Sequence, residues 1–194
     1  MSKPRLLVIT GSSGVGKSTL SARAAASLGF SKSASTDTIR EALRTQFDAD
    51  ELPALHRSSF ESAGSGVVED WHETVKVLSE GVAAVVRRAS MKGSDLLLEG
   101  VHVIPGAQML NDWRGAGGIA CGVVLYVEEE DRHQRFIVRR ERHNNRGLAH
   151  YLDNLDRIRE IQSEMVSNGR EAGWLVMDAS TQDDPVGMVE ASFE

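Results

Sequence analysis

The chain has 194 residues, 41% of them hydrophobic and 26% charged, with a formal net charge of −6. These proportions fit an ordinary globular protein with room for one proper core, and the acidic balance argues against a general nucleic-acid binder. No apolar run approaches the ~18 residues of a membrane span, and strand-forming residues begin at Leu6, which leaves no room for a signal peptide. We therefore expect a single cytoplasmic domain over residues 1–194, with neither a nucleic-acid nor a membrane partner.

The first element is Leu6-Leu7-Val8-Ile9-Thr10, an apolar, β-branched run that reads as a buried parallel strand. Gly11-Ser12-Ser13-Gly14-Val15-Gly16-Lys17-Ser18 follows, matching the pattern G-x-x-x-x-G-K-[ST]. Thr19–Ala26 then has the Ala-rich composition of a helix. Strand, glycine loop and helix in this order make an anion cradle, because the glycines let successive N–H groups face inward at the positive end of the helix. We assign Gly11, Ser13, Gly14, Val15, Gly16, Lys17, Ser18 and Thr19 to ATP. Lys17 supplies catalytic charge at the β/γ oxygens, and the Ser18 hydroxyl is a ligand for Mg²⁺.

Further along, Phe30–Ser35 is a weak strand, and Thr38 with Glu41 has capping-box spacing for a helix carrying Ile39, Leu43 and Phe47 on one face. Asp48–Gly66 reads as irregular or partly helical. From Val67 to Ala89, apolar residues recur every three or four positions, which predicts one long helix with Trp71 in the core. Asp95–Gly100 and Ile119–Val127 read as strands, Glu128–Arg142 as a helix broken at Asn144-Asn145-Arg146-Gly147, and Asp153–Ser167 as a helix stopping at Asn168-Gly169. Trp174–Asp178 is a last strand, and Pro185 opens a short terminal helix. Five strands alternating with helices imply a three-layer α/β/α fold with a parallel sheet, and ligands bind at the carboxyl ends of such strands. Thr10, Asp37, Glu99, Glu128 and Ala179 share that edge.

Two acids there carry candidate chemistry. Glu99 ends a strand after three leucines, where an acid holds Mg²⁺ directly or through water, or merely caps the strand. Asp37 either orients and deprotonates an acceptor hydroxyl or caps the next helix. Every Lys or Arg after Lys92 is Arg, and Arg132, Arg135, Arg139, Arg142 and Arg146 fall on one helical face. Such a stripe on a lid over roughly residues 129–152 would clamp the transferred phosphoryl group. Arg135 is placed on the nucleotide, Arg139 and Arg142 at the reacting group, and Arg146 on the acceptor. The alternative is a solvated face with Glu128–Arg132 and Asp131–Arg135 pairs. The lone Cys121 reads as a small buried hydrophobe, and no histidine pair has metal-ligand spacing.

Several stretches together carry a family likeness. They are Ser13–Leu20, Ser35-Thr36-Asp37 with Ile39-Arg40-Glu41, Pro53–Phe60, Glu99–Gly106, Arg135-Phe136, and Tyr151-Leu152 leading into Ile158–Gln162. In order and over nearly the whole chain, they resemble the 2-phosphoglycerate kinase family, whose members make 2,3-bisphosphoglycerate from ATP. The resemblance implies a P-loop kinase acting on a small phosphorylated or acidic acceptor, with Asp37, Arg40, Ser58, Ser59 and His102 near that acceptor. Members assigned this activity are generally longer, with a region preceding the kinase core. A kinase of nucleotides, nucleic-acid ends or sugar-nucleotides, and a non-catalytic ATP-binding switch, are the competing expectations.

Overall fold

A computed structural model describes residues 3–142 and 147–193. Strand β1 (Arg5–Thr10) forms where Leu6, Leu7, Val8 and Ile9 follow one another. Successive side chains of a strand point to opposite faces, and both faces are buried here. Leu6 and Val8 enter one core cluster, Leu7 and Ile9 the other. Four further strands, β2 (Ser33–Ser35), β3 (Leu96–Glu99), β4 (Ile119–Tyr126) and β5 (Leu175–Asp178), complete a parallel sheet in the order β2-β3-β1-β4-β5.

The helices, in chain order, are α1 (Lys17–Leu28), α2 (Thr36–Arg44), α3 (Pro53–His56), α4 (Val67–Lys76), α5 (Ser79–Met91), α6 (Ala107–Gly115), α7 (Glu130–Glu141), α8 (Leu148–Leu152), α9 (Leu155–Glu171) and α10 (Pro185–Ala191). One face of the sheet is covered by α1 and α10, whose Leu20, Ala24, Val186 and Val189 pack with Leu7 and Val123. The other face takes α4, α5, α6 and α9 through Trp71, Val82, Trp113, Ile158 and Met165. The result is the three-layer P-loop fold. The chain leaves β1 toward β2 and leaves β3 toward β4, so the loops after these two adjacent strands diverge and open a crevice at their carboxyl ends.

The structure corrects four of the sequence expectations. The expected strand Phe30–Ser35 is only Ser33–Ser35, because Phe30 is spent closing α1: Gly29 turns left-handed (φ 71°) and the Phe30 N–H returns to Ala25 O at 3.0 Å. The next helix starts at Thr36 and is capped by Ser35, whose Oγ accepts from the Asp37 N–H, so Thr38 and Glu41 are not the cap; Phe47 is exposed. The expected long helix is two, α4 and α5. At Val77-Leu78 the ladder shortens to a Leu78 N–H···O Val75 bond, and Ser79 Oγ takes the Lys76 carbonyl that the break releases. Finally, α9 runs past Asn168-Gly169 to Glu171. Gly169 sits against the sheet, where a Cβ would stand 2.6 Å from Val124 Cγ2, and the turn falls at Gly173 instead.

Candidate active site

The loop between β1 and α1 is built to receive an anion. Gly14 (φ +84°) and Gly16 (φ +94°) take left-handed conformations that side chains disfavour. Helix α1 starts with no capping side chain and no acid in its first turn, so its positive end carries no counter-charge of its own. Lys17 is the first residue of that helix, and its Nζ donates to Ser12 O at 2.8 Å. Burial pulls the Lys17 pKa down to about 8; Arg140 acts the same way, while Glu99 and Asp37 oppose it. A cavity of about 660 Å³ opens over Gly14–Leu20, walled by Phe136, Arg139 and Arg140 on one side and Gln182 and Pro185 on the other.

A second group of side chains gathers at the carboxyl ends of β1 and β3. Thr10 Oγ1, at the end of β1, shares its one hydrogen between Gly100 O at 2.9 Å and Val103 O at 3.0 Å, and Trp71 Nε1 donates to Val101 O at 3.0 Å. These bonds fix the loop after β3 and so the place of His102. The ring is buried, with Nδ1 3.2 Å from Thr36 Oγ1 and 3.8 Å from Asp37 Oδ1, and with no partner at Nε2. Burial lowers its pKa to about 4; Asp37 resists this, whereas Arg40 and Lys17 add to it. Ser35 does the capping of α2, which leaves the exposed Asp37 carboxylate for other work. Glu99 closes β3, half-buried and close enough to raise the Lys17 pKa.

The remaining expected residues take distinct places. Arg40 is buried and braces the 55–57 segment, donating to Leu55 O at 2.8 Å and Arg57 O at 2.9 Å. Ser58 gives its N–H to Glu61 Oε2, its Oγ is 3.5 Å from His150 Nε2, and Ser59 is buried beside it. On α7, Arg139 lines the cavity, while Arg135 and the C-cap residue Arg142 are exposed and outside its walls. Arg132 pairs with Glu129 at 2.9 Å and reaches Ser180, in place of the expected Glu128 partner. Arg146 lies outside the described residues.

Two participants escaped the sequence reading. Arg140 reaches the cavity although it lies off the expected stripe, and His133 is buried with Nε2 2.8 Å from Ser13 O. The spacing of His133 and Ile137, one helical turn apart, marks an inward face of α7 and was the available signal.

Residues 7–163 match the family described as AAA domain. The chain is 31% identical over 176 residues to 2-phosphoglycerate kinase of Pyrococcus furiosus, covering 87% of this chain and 57% of that protein. It is 31% identical over 201 residues to 2-phosphoglycerate kinase of Thermococcus kodakarensis, covering 98% of this chain and 67% of that one. The chain thus spans little more than half the length of the first of these relatives and two thirds of the second. A gluconokinase structure from Sinorhizobium meliloti superposes with a TM-score of 0.52 at 18% identity, over 100% of this chain and 91% of that chain, a likeness of fold alone.

Proposed function

The chain belongs to the 2-phosphoglycerate kinase family of P-loop proteins, and from that premise we propose that it transfers the γ-phosphoryl group of ATP to a hydroxyl of a small acidic or phosphorylated acceptor, 2-phosphoglycerate first among the candidates. One observation carries this reading. Lys17 heads the uncapped helix α1 behind the positive-φ Gly14 and Gly16, with its Nζ on Ser12 O at 2.8 Å, in the same cavity that Arg139 and Arg140 line.

The residues fit the groups this chemistry needs. Left-handed glycines and an uncapped helix N-terminus suit a polyphosphate. Among the described residues no cluster of three His, Cys, Asp or Glu forms a metal cage. Mg²⁺ takes one or two protein ligands besides phosphate oxygens and water, and Ser18 and Glu99 would hold it here. Mg²⁺ supplies charge neutralisation on the β- and γ-phosphate oxygens when bound.

In the transfer, a bond forms between the acceptor oxygen and the γ-phosphorus while the bond to the β–γ bridging oxygen breaks. Asp37 takes the acceptor proton, and Lys17 with Arg139 and Arg140 balances the charge on the phosphoryl oxygens. His102, neutral and buried, lines the acceptor side without competing for that proton.

Phosphorus NMR of the protein with Mg²⁺, ATP and a panel of phosphorylated three- and four-carbon acids tests the proposal. We expect one acceptor to yield a new phosphomonoester resonance in step with ADP. ATP binding with no product from any acceptor would replace the kinase reading with that of a nucleotide-binding switch.

A further inference from the structure

The crest of the phosphate loop is tied to a histidine that the chemistry above does not use. His133 is buried on the inner face of α7, with Nε2 2.8 Å from Ser13 O, and its equally buried Nδ1 has no partner. A carbonyl oxygen only accepts, so Nε2 carries the hydrogen. One turn along, Ile137 closes over Gly14, where a Cβ would stand 2.5 Å from Ile137 Cγ1. The preceding carbonyl, Ser12 O, is taken by Lys17.

The consequence follows from peptide geometry. The bond between Ser13 and Gly14 is trans, so its C=O and N–H point in opposite directions. With the carbonyl drawn into α7, the Gly14 N–H is turned away from α7, toward the side on which the loop's amides form their anion nest. We propose that His133 is a positioning residue for the nucleotide: it sets the Ser13–Gly14 peptide so that the Gly14 N–H donates to the bound polyphosphate. It also joins the set of the cradle to the placement of α7, the helix that brings Arg139 and Arg140 to the same cavity. Burial lowers the His133 pKa, the bond to Ser13 opposes this, and Arg159 and Lys17 reinforce it, so the ring stays the neutral donor this role needs.

The inference rests on the nucleotide reading above, and the test keeps the two apart. Titration calorimetry measures Mg·ATP binding to wild type, His133→Gln, His133→Leu and His133→Met, each with its melting curve. Gln reaches the same carbonyl with an amide N–H, whereas Leu and Met fill the space without a donor. We expect about tenfold weaker binding for Leu and Met, the worth of one lost hydrogen bond, and near wild-type binding for Gln. A purely structural role would lower melting temperatures and leave the affinity of the folded protein unchanged. Wild-type affinity in folded His133→Leu or His133→Met, or equal losses in all three variants, would overturn the inference. Failure of wild type itself to bind Mg·ATP would remove the nucleotide reading, and this inference with it.

Discussion

Asp37 and His102 meet across two strand ends with Oδ1 and Nδ1 3.8 Å apart, the carboxylate 58% exposed and the ring 1% exposed. The carboxylate opens to solvent, and burial holds the ring uncharged. Asp37→Asn should therefore lower kcat by roughly 10²–10⁴, the worth of a positioned acid–base group, with only a small loss of melting temperature, since the cap bond is made by its backbone N–H and the carboxylate adds only a first-turn charge to α2. His102, at a pKa of about 4, should add no break to the rate profile near pH 6.5. Kinetics of both proteins from pH 5 to 9 check this. Wild-type turnover in Asp37→Asn would reduce Asp37 to a first-turn acid of α2.

Lys17 gives nucleotide binding a pH dependence of known sign. In the free protein its pKa is about 8, chiefly through burial. Bound phosphates favour the charged amine, so its pKa rises in the complex. Affinity is then fully present below pH 8 and falls as pH rises above it, by up to about tenfold per unit. Binding at pH 8.5 should be accompanied by proton uptake, measurable by calorimetry in buffers of different ionisation heat. Lys17→Arg, always charged, should show none.

The three central strands β1, β3 and β4 were legible because they are buried on both faces, and continuous apolar runs such as Leu6–Ile9 and Ile119–Val127 admit few other readings. The phosphate loop was legible because its chemistry is local. What could not be read was long-range. Val67–Ala89 keeps one helical period across a break whose only local trace is Ser79, and Gly169 looks like a helix stop until Val124 is seen against it. Arg139 was legible at the cavity, but the stripe could not separate it from Arg142, nor include Arg140, because the roll of α7 is set by His133 and Ile137 packing on the loop.

That roll makes a prediction about the arginines. Arg139 and Arg140 wall the cavity, Arg142 is exposed beyond it, and Arg132 is engaged with Glu129 and Ser180. A guanidinium presents a planar fork that an ammonium cannot copy at a phosphoryl group. Arg139→Lys and Arg140→Lys should thus lower kcat by about 10³ or more, as losses of arginine fingers do, while ATP affinity changes far less. Arg132→Lys and Arg142→Lys should be nearly silent. Steady-state kinetics with parallel ATP titrations decide it, and equal behaviour of all four would make the stripe a solvated face.

The last prediction concerns Asp70, a carboxylate on α4 with 0% exposure. It accepts from Ala63 N at 2.9 Å, Ser65 N at 3.1 Å and Arg157 Nη2 at 2.7 Å, while Arg157 Nε donates to Phe60 O at 2.7 Å. One ion pair therefore fastens the loop carrying Ser58 and Ser59 between α4 and α9. Burial pushes the Asp70 pKa up, but the two backbone N–H groups and Arg157 outweigh it and hold the carboxyl below its ordinary value. A carboxyl lowered by folding stabilises the fold above the ordinary carboxylate range and loses that contribution as pH falls through the lowered value. Asp70→Asn leaves Arg157 without its counter-charge and should lower the melting temperature by roughly 10 °C at pH 7. The difference from wild type should shrink toward pH 3. Combining it with Arg157→Met should cost less than the sum of the single changes, because each alone strands a charge. In the surviving protein the acceptor KM should rise while Mg·ATP affinity holds, since the family resemblance gives Ser58 and Ser59 to the acceptor and neither lines the phosphate-loop cavity. Melting curves of the three variants across pH, with both substrates titrated, test each part. A pH-independent loss of stability, or strictly additive losses, would show that the pair does not act as a charge-coupled clamp.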